Sequence, residues 1–173
     1  MIDRTTSEKA AAELLDASPE AGAQLHDLLP FTIGHQTFAV FTDQIETTAE
    51  ARPAAPLPRA PAAVVGVVCV HGHMITVLDT IAMLTGSLTD WPPTLPFVLV
   101  LRGNDQVGLV AETCRDTVTI SAEDIEPVAS AGDLKAALTL GTVVYAGEAM
   151  MILDTTRLFR CAVQRRERRR RRF

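Results

Sequence analysis

The chain has no apolar run long enough to cross a bilayer. Its longest, Ala62 to Val70, is nine residues and is closed by His71, against the roughly 18 or more that a spanning helix needs. It also lacks the basic start and apolar segment of a secretory leader, since Met1, Ile2, Asp3 and Arg4 run straight into polar residues; a cytoplasmic address is therefore expected. Cysteine is scarce. Cys69, Cys114 and Cys161 lie far apart, at no paired metal-ligand spacing and in odd number, so reduced thiols acting as small apolar residues are expected rather than a disulfide framework. Basic residues are sparse before the C-terminus: residues 165–173 hold seven arginines and one glutamate, a charge of +6, so the net −5 of the whole leaves −11 for residues 1–164. A body of that sign repels nucleic acid and anionic membrane, so contact with either would have to run through the tail.

What remains is an ordinary soluble composition, 47% hydrophobic and 21% charged, enough to bury a core in one domain or in two small lobes. Residues 1–30 read as an extension. Thr5 and Glu8 have capping-box spacing before an Ala-rich stretch with Leu14 and Leu15 that ends at Pro19, which predicts a short helix and a linker. From Phe31 onward, short runs of Val, Ile, Leu and Phe alternate with Gly, Asn, Asp and Pro, so the body is expected to be mainly β.

An internal repeat organises that body. Laid over each other at an offset of 75, Gly66–Leu84 and Gly141–Phe159 match Gly66 to Gly141, Val68 to Val143, Gly72 to Gly147, and Leu78-Asp79-Thr80 to Leu153-Asp154-Thr155. A weaker match at an offset of 69 places Gly34, Phe38, Ala39 and Val40 over Gly103, Val107, Gly108 and Leu109. Each unit thus reads as two hairpins, one unit spanning about 31–86 and the other about 97–160, joined by the turn-forming Thr89-Asp90-Trp91-Pro92-Pro93. Two barrel-like lobes packed together are expected, because one unit alone would bury too little core.

Asp79 and Asp154 each end an apolar strand and precede helical spacing, over Thr80 to Thr85 and Thr155 to Val163. A helix N-cap is the favoured reading of both, the carboxylate accepting free amide hydrogens. The paired Asp-Thr sequences are superficially similar to aspartic proteases, but those need a glycine next, where Ile81 and Thr156 stand. His71-Gly72-His73 could chelate a metal if it lay within a strand, yet its glycine suits a hairpin turn and no glutamate follows at ligand spacing. No metal, cofactor or small-molecule substrate is expected.

The stretch Val64-Val65-Gly66-Val67, a hairpin at Val70 to Gly72, and then Ile75-Thr76-Val77-Leu78-Asp79 resembles the CheW pattern I-x-G-V-x-N-L-R-G-x-x-x-P-V-x-D-L. Upstream, Phe31 to Val40 resembles that family's opening F-x-L-G-x-x-x-Y-A-V, and Leu57, Pro58 and Pro61 its proline-marked segment. Downstream, Leu109-Val110-Ala111-Glu112 with Val118, Asp124-Ile125-Glu126-Pro127, and Gly141 to Leu158 resemble its later motifs, so about 31–160 is covered. The resemblance implies two five-stranded, Src-homology-3-like barrels with short helices after the strand pairs and at the termini, and no catalysis. It implies an adaptor that bridges a methyl-accepting chemoreceptor, or its equivalent, and the regulatory domain of a CheA-type histidine kinase. The alternative is the same fold kept as an interaction module without kinase coupling.

By the same resemblance, the receptor- and kinase-binding candidates are Ile45, Thr47, Leu57, Gly66, His71, Gly72 and Met74. The family's glutamate in V-x-E-I is Thr47 here and its arginine in N-L-R-G is His71, so both members of an ion pair are replaced together. Losing both is compatible with an intact fold, and it suggests a changed partner, such as that of a pilus or other non-flagellar pathway. Beyond about 160, Leu158, Phe159, Ala162 and Val163 have the spacing of an apolar helix face leading into Arg165, Arg166, Arg168, Arg169, Arg170, Arg171 and Arg172. That tail is read first as solvated, with an anionic partner (membrane or nucleic acid) as the alternative.

Overall fold

The computed structural model describes residues 24–103, 106–128, 134–158 and 160. The proposed N-terminal helix and the arginine tail lie outside the described residues. The first strand, β1 (Leu25–Ile33), begins inside the stretch assigned to a linker; Leu28 and Phe31 on it are fully buried, and their burial is what holds it in a sheet. It turns at Gly34 into β2 (Gln36–Phe41), and a single 3₁₀ turn (Thr42–Gln44) leads to β3 (Ile45–Pro53). Then come β4 (Val64–Val70), β5 (His73–Leu78), α1 (Thr80–Thr85), β6 (Thr94–Leu101) and β7 (Val107–Ala111). The last third holds β8 (Thr113–Cys114), β9 (Val118–Ser121), β10 (Glu126–Pro127), α2 (Leu134–Leu138), β11 (Thr139–Tyr145) and β12 (Glu148–Leu153), followed by a helical turn over 155–158.

These strands form two sheets. One has seven strands, ordered β10-β11-β12-β2-β1-β8 with β9 also on β1; the other has five, ordered β3-β6-β7-β5-β4. In the second, Ala55 and Val67 exchange backbone hydrogen bonds at 2.8 and 2.9 Å, which brings the chain after β3 round to β4 and curls the sheet toward a barrel. The expected two-lobed, mainly β architecture is present, but one sheet has seven strands where five were expected.

The repeat units and the sheets do not coincide, which corrects the expectation that 31–86 and 97–160 each close a lobe. The five-stranded sheet combines β3, β4 and β5 of the first unit with β6 and β7 of the second; the seven-stranded sheet takes β1 and β2 from the first and the rest from the second. Two parallel pairs make the exchange. Thr76, Val77 and Leu78 of β5 lie beside Val107, Gly108 and Leu109 of β7, and Met151 and Ile152 of β12 lie beside Phe38 and Ala39 of β2. Shifted by 75 and 69 residues, the first pairing becomes the second. Because the copies match, the sequence carries no signal for which copy supplies the partner strand, and either choice satisfies the same local pattern.

Alternation along the strands then builds three layers of core. Val68, Val70, Ile75, Val77, Val98 and Val110 fill the five-stranded sheet, and Leu28, Ala39, Val143, Met150 and Ile152 line the seven-stranded one. Between them, Phe31, Phe38 and Val40 of one sheet meet Leu78, Leu99 and Leu109 of the other, together with Leu138, Leu153 and Leu158. Residues on β2 and β7 therefore face their own sheet's core and the shared core in turn.

Both expected N-caps are present. Asp79 Oδ1 accepts from the Ala82 amide at 3.1 Å, and Asp154 Oδ1 accepts from the Arg157 amide at 2.9 Å, the same position 75 residues on. Both carboxylates are further engaged, Asp79 by the Trp91 indole N–H and Asp154 by Arg157 Nε at 3.1 Å. Gly66 and Gly141 are equivalent too. A Cβ on Gly66 would lie 2.6 Å from the carbonyl oxygen of Ala55; one on Gly141 would lie 2.5 Å from Ile125 Cγ2 and 2.8 Å from the Glu126 carbonyl oxygen. At each site another segment crosses the first strand of a hairpin, and only glycine leaves it room.

A candidate partner-docking cleft at the tip of the five-stranded sheet

The β4–β5 hairpin turns through His71 and Gly72, whose φ values are +48° and +83°. Positive φ at both positions gives a tight turn whose twist matches the flanking strands, and it sends the His71 side chain outward at the tip. Val70 and His73 close the turn as a cross-strand pair. Beside this tip, β3 starts at a bulge between Ile45 and Thr47, where it pairs with Leu101 and Val100 of β6. The β6–β7 turn is tied down next to it: Arg102 Nε donates to the Asp43 carbonyl at 2.9 Å and Nη2 to that of Ile45 at 3.2 Å.

These three chain segments enclose a cleft of about 290 Å³. Val70, Ile75, Val100 and Leu101 make its apolar floor, and Glu46, Thr47, His71, His73 and Gln106 its polar rim. It shares Leu101, Gly103 and Gln106 with a smaller cleft of about 180 Å³ that continues past Arg102 to Thr155 and Thr156, at the start of the last helical turn. There Thr155 Oγ1 donates to Gln44 Oε1 at 2.8 Å, so the two sheets meet along this groove. An apolar floor with a mostly uncharged rim and one carboxylate, Glu46, suits a protein surface, and no group of His, Cys, Asp and Glu among the described residues is placed to hold a metal ion.

Of the residues expected to contact partners, the structure brings Thr47 and His71 together in this cleft, with Gly72 in the turn beside them. Ile45 is not on its surface; it belongs to the shared core, because the bulge turns it inward. Gly66 is buried beneath Ala55, a packing position. Leu57 and Met74 are exposed, at 43% and 57%, but line neither cleft. Sequence reasoning missed Glu46, His73 and Gln106. His73 could have been found, since it lies across the turn from Val70, whereas Gln106 enters only through the β5–β7 crossing.

The equivalent place in the seven-stranded sheet is occupied differently. Glu148, which follows its turn as His73 follows the other, accepts from the Thr37 hydroxyl and is clasped by Arg115, whose Nη2 reaches Oε1 at 3.2 Å. The Arg115 hydrogen bonds, then that of Thr37, hold the Glu148 carboxyl below its ordinary range, and Glu148 raises Arg115 in turn.

Two interleaved barrel-like sheets with an apolar groove along their junction define a binding scaffold as the class of protein. Comparison with known proteins places the chain within that class. A family model described as "CheW-like domain" matches residues 27–162, and the chain belongs to the CheW-like family. It is 27% identical over 136 residues to "Chemotaxis protein CheW" of Rhizobium meliloti (strain 1021), covering 77% of this chain and 86% of that one. A "Probable chemotaxis protein CheW" of Rhizobium etli is 26% identical over 136 residues with the same coverage. Among solved structures, scaffolding protein TtCheW from Thermoanaerobacter tengcongensis shares the fold, with a TM-score of 0.66 at 12% identity over 79% of this chain and 89% of that one. The chain is thus a CheW-type scaffold of chemotaxis signalling.

Proposed function

We propose that this chain is a non-enzymatic cytoplasmic coupling protein that joins a methyl-accepting chemoreceptor, or its equivalent, to the regulatory domain of a CheA-type histidine kinase, with the cleft at the tip of the five-stranded sheet taking part in docking. The observation that carries the reading is the convergence of Thr47 and His71 on one apolar-floored cleft, since these are the positions at which this chain departs from its family's ion pair. The rim keeps a glutamate at Glu46 but holds threonine and histidine at the positions of the family's glutamate–arginine pair, which presents different chemistry to a partner. We infer from it a partner of a non-flagellar pathway. Among the described residues no helix is long and apolar enough to cross a membrane, in keeping with a scaffold recruited to a receptor.

The test is recovery of partners from the protein's own cell lysate by the full chain and by a form ending at Gln164. Recovery of a CheA-type kinase with methyl-accepting receptors by both forms supports coupling with a dispensable tail. Recovery of neither means that the fold serves as an interaction module without the kinase, and nucleic acid retained only with the tail present would make Arg165 to Arg172 the binding element. The double substitution Thr47→Glu with His71→Arg addresses partner choice: an unchanged set of partners would sink the non-flagellar reading.

A further inference from the structure

The two sheets hold the same constellation in two states. In the seven-stranded sheet, the residue after the turn (Glu148) is bound by Thr37, the second residue of β2, and by Arg115, which directly follows the strand that pairs with β1. In the five-stranded sheet, the residue after the turn is His73, the residue preceding β7 is Gln106, and the strand that pairs with β6 brings Glu46 and Thr47. The charges are exchanged between the strands: cation facing carboxylate in one sheet, carboxylate facing imidazole in the other. The first is closed by an ion pair. The second is the open cleft, where neither Glu46 nor His73 is ion-paired.

We propose that His73 and Glu46 form a proton-dependent clasp, the conditional counterpart of Arg115–Glu148, which closes the cleft when the imidazole is protonated. Histidine is the side chain whose charge changes between about pH 5 and 8. A protonated ring has both nitrogens as donors, one more than the neutral ring, and a positive charge, and Glu46 is the carboxylate on the cleft wall that can accept from it. The other groups around the ring are His71 at the tip, Gln106 at the β7 turn, and Arg102 on the adjoining cleft, already bound to two backbone carbonyls. Asp105 lies outside the described residues. Closure takes the rim and the apolar floor from a docked partner, so docking weakens as the pH falls.

The pairing stands apart from the proposed function, whereas the gating rests on reading the cleft as a docking site, and the experiment separates them. Imidazole resonances of His73 are followed by NMR titration in the full chain and in Glu46→Gln, with His71→Asn as a second background. A titration midpoint lower in Glu46→Gln supports the clasp; equal midpoints in both overturn it. In parallel, binding of the cytoplasmic tip of a chemoreceptor from the same genome is measured at pH 7.5 and 5.5. A several-fold loss at pH 5.5 that disappears in Glu46→Gln and in His73→Asn supports gating. Affinity that is unchanged by pH, with the midpoint shift present, overturns gating. A tip that binds at neither pH would refute the docking reading and leave the clasp supported by the titration alone.

Discussion

Trp91 donates its indole N–H to Oδ2 of Asp79 at 2.9 Å, while Oδ1 of the same carboxylate caps the α1 helix. Asp79 is 2% exposed, so this charge is carried in the interior by its hydrogen bonds, and Trp91 packs against both the shared core and that of the five-stranded sheet. The segment that joins the two repeat units is therefore fastened at its centre.

Removing the indole donor leaves the carboxylate short of one partner. Trp91→Phe is expected to destabilise the protein by about 1–3 kcal/mol. Asp79→Ala should cost more than Asp154→Ala, which is a half-buried cap worth about 1 kcal/mol. Urea unfolding of the three variants checks the order. Equal losses at the two aspartates would mean that the Trp91 bond adds nothing to the cap.

Gly66 and Gly141 predict a matched pair of effects. A methyl group at either meets backbone carbonyl oxygen closer than any real Cβ contact, beside Ala55 in one sheet and Glu126 in the other. Gly66→Ala and Gly141→Ala should each cost about 1–3 kcal/mol through forced backbone displacement. Thermal unfolding measures both, and a neutral result at either would show that the crossing segment can withdraw freely.

Much of this arrangement was legible in the sequence for a physical reason. The hairpins, the caps at Asp79 and Asp154, and the tight turn at His71-Gly72 are set by interactions within a few residues, and their chemistry is written locally. The exchange of strands between units was not, because β5 meets Val107 and β12 meets Phe38 through matching patterns that would equally permit the unexchanged fold. The cleft suffered in the same way. Thr47 and His71, named by resemblance, both line it, whereas Gln106 reaches the rim only through the parallel pairing of β5 with β7. Ile45, named with them, lies in the shared core beside a bulge that no single residue announces.

The Arg115–Glu148 clasp makes stability depend on pH in acid. The Glu148 carboxyl is held below its ordinary pKa by the hydrogen bonds from Arg115 and then from Thr37. A carboxyl depressed in the folded state stabilises above its unfolded value, about 4.3 for glutamate, and that stability is lost as the pH falls through the folded value. The Tm difference between the parent and Arg115→Gln should therefore be constant near neutrality and shrink below about pH 4. A difference that persists undiminished at pH 3 would show that the arginine acts through packing instead.

Cys114 and Cys69 should differ sharply as thiols. Cys114 is half-buried at the seam between the sheets; burial, and then the charge of Glu50, raises its pKa to about 11. Thiolate is the reactive form, so at pH 8 only about one Cys114 in a thousand is ionised, a population fixed by those three units. Cys69 lies exposed on the outer face of β4. In a Cys161→Ser background, a chromogenic disulfide reagent at pH 8 should titrate one thiol quickly and the second only on the timescale of opening. Adding mild denaturant should accelerate the slow phase and leave the fast one unchanged. If Cys69→Ser retained the fast phase, Cys114 would be accessible in the folded protein, and the seam between the sheets would have to open without unfolding.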